Sequence, residues 1–417
     1  MNKKILLTWV CSLVAIAGFA QNEGTCGDDL RWNFDSSTGM LAISGTGEMT
    51  DYFFDDAPWN AFLAQITQIE IEDGVTSIGN WAFYNCSELI SVTIPVSMMR
   101  IGEFAFLVCE SLASVTIPNG VNSIEAYAFA VCNALVSVTV PSSVTDIGKY
   151  AFYSCSKLTS IEVEHANLSY SSENGILFNK EKTLLICYPA GKAGSYVVPD
   201  NVTAFEDWAF YNSIVTSITI PESIRNTGNY VFYACASLDS VSLPNNITII
   251  GRYSFYNCSS LTTITIPESV MNISAAAFSG CTGLTSIISK KSFPVRIDSN
   301  VFEGVNKTDC VLEVPSASVD LYQKADVWKE FNQIVAIPTG IQEIPNPDAL
   351  RIYPNPVLES FRIQGIEANT LVTIWDISGR MVLQQTFHPD EAVQVSHLLK
   401  GIYLVQVNGK TVRIIKD

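Results

Sequence analysis

Histidine is almost missing from this chain: three occur in 417 residues, at His165, His388 and His397. None stands in an H-E-x-x-H arrangement or beside cysteines at metal-ligand spacing, so zinc-assisted hydrolysis has no ligand set. Basic residues are scarce too, 24 against 41 acidic, for a formal net charge of −17. A phosphate backbone or an anionic membrane surface selects for the opposite balance, and neither is an expected partner. There is no G-x-S-x-G elbow and no glycine loop of the kind that cradles phosphate. Beyond residue 20 no apolar run is long enough for a membrane helix, so no transmembrane segment is expected in the mature chain. Catalytic residues, metals and cofactors are all expected to be absent, and the chain is not expected to be an enzyme.

What is present begins with an export signal. Lys3 and Lys4 precede an apolar stretch from Ile5 to Ala17, and Gly18-Phe19-Ala20 puts small residues three and one before Gln21. Residues 1–20 are expected to be a cleaved signal peptide. Cys11 follows Trp9-Val10 and lacks the small residue that a lipoprotein signal places before its cysteine, so lipidation is not expected. The remaining length exceeds one compact core and implies two or three units.

A 23-residue period runs through the centre. Ile78-Gly79-Asn80-Trp81-Ala82-Phe83 recurs at Ile101, Ile124 and Ile147, each copy followed by a cysteine (Cys86, Cys109, Cys132, Cys155) and a leucine (Leu89, Leu112, Leu135, Leu158). Alternating pairs such as Val92/Ile94 and Val138/Val140 then predict a strand with one face buried, closed by Pro95 or Pro141. The Ile-to-Cys stretch predicts a tight turn or short helix. The pattern lapses at Glu164 and resumes at Phe210, Phe232, Phe255 and Phe278, with a degenerate ninth unit at Phe302. The lapse, about residues 164–199, carries Asn174-Gly175 and predicts a hairpin insertion. A single coil buries too few side chains to offset the ordering of its backbone, so stability must come from stacking. The fold class expected is mainly β with short helical turns: a solenoid of about nine 23-residue coils over 65–337, then a small C-terminal β-sandwich. Residues 21–64 are expected to cap the first coil. At the far end, about 310–337, Val319, Tyr322, Ala325, Trp328 and Phe331 predict an amphipathic helix over the last coil.

The unit I-G-x-x-A-F-x-x-C-x-x-L-x-S-V-x-I-P resembles the BspA-like (Treponema-type) leucine-rich repeat, and the insertion resembles the hairpin that interrupts such arrays. After a linker at 338–350, residues 351–417 lose the period. They contain Pro354-Asn355-Pro356, then Asp376-Ile377-Ser378-Gly379-Arg380, then Leu399-Lys400-Gly401-Ile402-Tyr403. These motifs, in this order, resemble the C-terminal sorting domain of type IX secretion cargo. Pro354, Asn355, Pro356, Asp376, Gly379, Arg380, Gly401 and Tyr403 are the residues matching its signatures. The two resemblances imply a secreted or cell-surface protein, carried to the periplasm by its signal peptide and across the outer membrane by the type IX machinery. They also imply binding or adhesion to a protein or glycan, host matrix included.

Four features are candidates for chemistry. Seven cysteines share one repeat position and form either a ladder of buried thiols or occasional disulfides between coils. Trp81, Phe104, Tyr127, Tyr150, Trp208, Tyr230 and Tyr253 stand two before each repeat Phe, and tyrosines follow it at 84, 153, 211, 233 and 256. These aromatics either stack to stabilise the turn side or present a partly exposed stripe that grips a ligand. Hydroxyl pairs such as Ser91/Thr93 and Thr263/Thr265 mark a solvent-facing sheet or an extended polar docking face. Asp51, Asp55 and Asp56 cluster without calcium-loop spacing. A structural spacer or surface-layer component with no specific ligand is the alternative to a binding protein.

Overall fold

A computed structural model describes residues 22–337, 351–353, 357–364, 369–376, 379–388, 391–407 and 410–416. The expected signal peptide, the linker and Pro354-Asn355-Pro356 lie outside these residues. The chain divides into two compact units, Met1–Ile337 and Pro338–Asp417.

Each coil of the first unit follows from its residue order. Ser137–Val140 alternates exposed and buried side chains and pairs in parallel with Ser160–Val163, Val138 lying against Ile161. Pro141, with no N–H to donate, ends the strand. A two-residue strand, Asp146–Ile147, pairs with Ser123–Ile124 on a second side. At Gly148 a Cβ would stand 2.3 Å from the Ala126 backbone nitrogen, so in this coil the two backbones pass too closely for a side chain. The third side is a chain of tight turns rather than a helix, which resolves the two local readings of the Ile-to-Cys stretch. Its N–H groups donate along the solenoid: Tyr127 to the Lys149 carbonyl (3.1 Å), Phe129 to Ala151 (2.8 Å) and Val131 to Tyr153 (2.7 Å).

The solenoid has about 12 turns. The repeat motif undercounts them because three contributions lack it. Met40–Gly45, paired antiparallel with Leu30–Asp35, is also the parallel neighbour of Gln68–Ile71. At the other end Val311–Val314 and Gln333–Ala336 extend the long sheet. The third lies in the insertion. Its first half is the hairpin Tyr170–Glu173/Ile176–Asn179, turned at Asn174-Gly175. Its second half is a coil: Leu184–Cys187 and Gly194–Val197 pair in parallel with Ala204–Phe205 and Val215–Thr219. Tyr188 takes the repeat-Phe place, stacked on Phe210 at 4.8 Å.

The core is a column of rings. Trp59 lies on Phe83 at 5.5 Å and donates its indole N–H to the Ala82 carbonyl at 2.7 Å. Phe83, Phe106, Phe129 and Phe152 follow at 5.3, 5.2 and 5.9 Å. A second column runs from Tyr188 through Phe302, which Trp328 and Phe331 close edge-on. The C-terminal amphipathic segment is three short helical pieces, Ser316–Ser318, Val319–Tyr322 and Trp328–Glu330, that bury Tyr322 and Trp328. The columns belong to two hydrophobic cores that meet at Ile176 and Leu177. Phe129 is fully buried between two rings. Phe129→Ala is expected to cost about 3–5 kcal/mol in urea unfolding; a loss below ~1 kcal/mol would show that the column does not hold the coils together.

The second unit is two antiparallel sheets. Arg351–Tyr353, Ser360–Gln364 and Val393–Gln394 form one. Met381–Phe387, Thr370–Asp376, Gly401–Val407 and Lys410–Lys416 form the other. Val357, Phe361 and Ile363 share one core with Val372, Ile374, Val405 and Ile414, as in a small sandwich.

Candidate binding surface

The seven repeat aromatics lie on the turn side of the solenoid, each half-buried. Their backbone is left-handed without exception: Trp81, Phe104, Tyr127, Tyr150, Trp208, Tyr230 and Tyr253 have φ between 53° and 65°. A bulky residue loses about 1–2 kcal/mol in that conformation. It persists because the turn N–H groups and the neighbouring rings both fix it. Trp81 stacks on Phe104 at 4.1 Å, Phe104 on Tyr127 at 4.9 Å, Trp208 on Tyr230 at 4.2 Å and Tyr230 on Tyr253 at 5.1 Å.

A second row runs beside the first: Tyr153 on Tyr211 at 4.0 Å, Tyr211 on Tyr233 at 5.5 Å and Tyr233 on Tyr256 at 4.6 Å. Burial raises the phenol pKa of Tyr127, Tyr150, Tyr153 and Tyr233, so these hydroxyls stay protonated as hydrogen-bond donors. Arg252 lies over Tyr253, 5.5 Å from the ring centre. The rows begin earlier than the repeat pattern indicates. Phe54 in the N-terminal cap, 58% exposed, touches Trp81 at 5.7 Å and Tyr84 at 5.0 Å. Two adjacent phenylalanines among three aspartates were the sequence signal for this extension.

The first row changes character once. Tyr150 meets Trp208 edge-on at 6.4 Å, and the space beside them is a cavity of about 420 Å³. The cause lies in residue counting. Five positions separate Ile147 from Phe152 and Phe205 from Phe210, but three separate Leu185 from Tyr188. The intervening coil is too short to reach the surface, so the flanking turns close over it where Tyr153 meets Tyr211. Lys149 and Glu206 approach across the gap at 3.7 Å.

The other candidates sort themselves by contact. All seven ladder cysteines are free and buried. From Cys109 onward each thiol donates to the Phe carbonyl one coil back: Cys132 to Phe106 at 3.2 Å, Cys235 to Phe210 at 2.9 Å, Cys281 to Phe255 at 3.0 Å. Burial pushes Cys235 and Cys281 up to about 12. Asp51 is bound to Arg100 at 3.0 Å, and Arg100 also reaches Glu125 at 2.7 Å and the Asn80 side chain. It is therefore one end of a tie across coils. Among the described residues no cluster of three or more His, Cys, Asp or Glu is arranged to hold a metal ion. The hydroxyls of Ser91, Thr93, Ser137 and Thr139 face solvent. In the second unit Asp376 accepts from the Arg380 backbone N–H and from its Nε, both at 3.1 Å, around Gly379 at φ 82°. Tyr403, buried, donates to the Leu399 carbonyl at 2.9 Å.

Residues 60–180 and 187–309 match the BspA type leucine-rich repeat region, in six copies, and residues 351–417 match the secretion system C-terminal sorting domain. No curated protein matches the chain. Among solved structures, the pneumococcal vaccine antigen PcpA is 20% identical, with 75% of this chain and 98% of that one covered at a TM-score of 0.54. A leucine-rich cell surface protein from Faecalibacterium prausnitzii A2-165 is 23% identical, with 78% and 97% covered and a TM-score of 0.49. The likeness to PcpA is one of fold.

Proposed function

We infer, for a chain that belongs to the BspA-type leucine-rich repeat family and ends in a type IX secretion sorting domain, that it displays its solenoid at the cell surface as a binding or adhesion scaffold. Residues 1–20 take it to the periplasm and residues 351–417 take it across the outer membrane. The solenoid then works without catalysis, by presenting a face to a protein or glycan of the host or of another cell.

The observation that carries this reading is the pair of half-exposed aromatic rows. Stacked rings offer a large, rigid, amphipathic area that loses little side-chain entropy on contact, which is why tyrosine and tryptophan dominate binding hot spots. The acidic surface directs such a face toward neutral or basic partners rather than nucleic acid. The purified protein should bind matrix proteins or surface glycans saturably, and Tyr230→Ser with Tyr253→Ser should weaken that binding by at least ~10-fold, about the weight of one hot-spot residue. Binding that the double variant leaves intact would remove the aromatic rows from the interface. A chain that binds nothing in such a panel would be the spacer.

A further inference from the structure

The cavity beside Tyr150 and Trp208 has the makings of a ligand site distinct from an extended docking face. Its floor is apolar: Ile147, Phe152, Leu177, Leu184 and Ile186 line it. Ile147 is only half-buried, whereas its counterparts Ile78, Ile101 and Ile124 are fully buried, so the missing length of the short coil leaves apolar surface open. The mouth is aromatic and negatively charged. Tyr150, Tyr153 and Trp208 form one side, and Asp146, Glu206 and Asp207 stand with a single lysine, Lys149. Lys149 is already engaged with Glu206, leaving two carboxylates over. Those acids are felt at the ring: Asp207 and Glu206 help burial to raise the Tyr150 phenol.

The ladder of turn hydrogen bonds is interrupted here, which is what opens the cavity. In the preceding coil the N–H groups of Tyr127 and Phe129 reach carbonyls of the next. Those of Tyr150 and Phe152 find no backbone acceptor among the described residues. By contrast, the Ile147 N–H is satisfied by the hydroxyl of Tyr170 from the insertion, at 2.8 Å. The hairpin therefore builds one wall and leaves the other free.

Charge, polarity and size together narrow the occupant. An anion meets three carboxylates against one paired lysine. A free sugar has hydroxyls on every side and would leave several against leucine and isoleucine, where unmade hydrogen bonds are costly. A volume of about 420 Å³ is at the small end of ligand pockets. We propose that the cavity binds a small organic cation, an aromatic or aliphatic amine whose apolar body fills the floor and whose ammonium sits between Asp207 and the faces of Tyr150 and Trp208. Amine and carboxylate pair at the mouth, and the rings add a cation–π contact.

The test is calorimetry at pH 7 on the full mature chain with three ligands of one shape: 2-phenylethylammonium, 2-phenylethanol and 3-phenylpropionate. The ammonium should bind one per chain with a Kd on the order of 0.1 mM. The alcohol should be ~10-fold weaker and the carboxylate weaker still, because both lose the cation–π and charge terms. Ile186→Trp, which fills the floor, should abolish binding, and Asp207→Asn should weaken it ~3–10-fold while keeping an acceptor for the Asn229 N–H. Equal affinity for ammonium and alcohol, no ammonium binding by the wild-type chain, or full affinity in Asp207→Asn would each overturn the proposal. Should Ile186→Trp lower the melting temperature, Asp207→Asn decides. Tyr253→Ser alone, which leaves Trp208 and its stacking partner Tyr230 in place, should keep the affinity for the ammonium, so this site can be told apart from the extended surface.

Discussion

Raising the pH from 8 to 10 is expected to strip the solenoid of most of its stability, and the ladder cysteines are the reason. In the unfolded chain a thiol ionises near pH 8.5. In the folded chain burial holds Cys235 and Cys281 at about 12 and raises Cys86, Cys109, Cys132 and Cys258, and Cys155 is raised first by its hydrogen bond with Cys132 and then by burial. The folded state therefore binds more protons than the unfolded state above pH 8.5, and unfolding free energy falls as pH rises. Below that pH the two states carry the same protonated thiols and nothing is lost. At pH 10 each thiol whose folded value stays well above 10 costs about 2 kcal/mol of stability, and several together are comparable to the 5–15 kcal/mol that holds a typical domain folded. Urea midpoints at pH 7, 8, 9 and 10 should drop steeply after 8, and Cys235→Ala with Cys281→Ala should flatten the curve. A flat profile in the unmutated protein would mean that the ladder is oxidised, since a disulfide has no proton to lose.

A chain ending at Gly340 is expected to accumulate in the periplasm while the full chain reaches the cell surface. The second unit has its own core, Val357 through Ile414, and its own ladder of strands, so its removal deletes a complete structure rather than half of one. The solenoid is closed by Trp328 and Phe331 before the cut. The truncated protein should thus keep the melting behaviour of the solenoid while losing protease accessibility on intact cells. Within the tail the turn at Asp376, Gly379 and Arg380 and the buried Tyr403 are the places where single substitutions should imitate the deletion. Surface display that persists without residues 341–417 would show that these residues do not direct export.

Most of the solenoid was legible because its physics repeats. One-sided strands, a glycine where a Cβ cannot fit, and a phenylalanine every coil leave a periodic trace whatever the intervening residues. The coil at 184–198 left none: Tyr188 stacks like a phenylalanine, but the Ala-Phe pair and two turn residues are missing, so a rung looked like part of an interruption. The aromatic stripe was visible as composition and spacing. Its left-handed backbone was not, because nothing about tryptophan or tyrosine favours φ near 60°; the turn imposes it, on Ala276 as on the aromatics. The cavity is the difference between two spacings, five residues against three, and a difference of that kind has meaning only after the coils are aligned in space.

The gap in the phenylalanine column has a further consequence. In a stack where each coil leans only on its neighbours, cohesion passes from end to end through every junction in series. Phe152 and Tyr188 sit where one core gives way to the next. The solenoid is thus two cooperative blocks whose strands belong to separate sheets, and partial opening should begin at the hairpin rather than at a capped end.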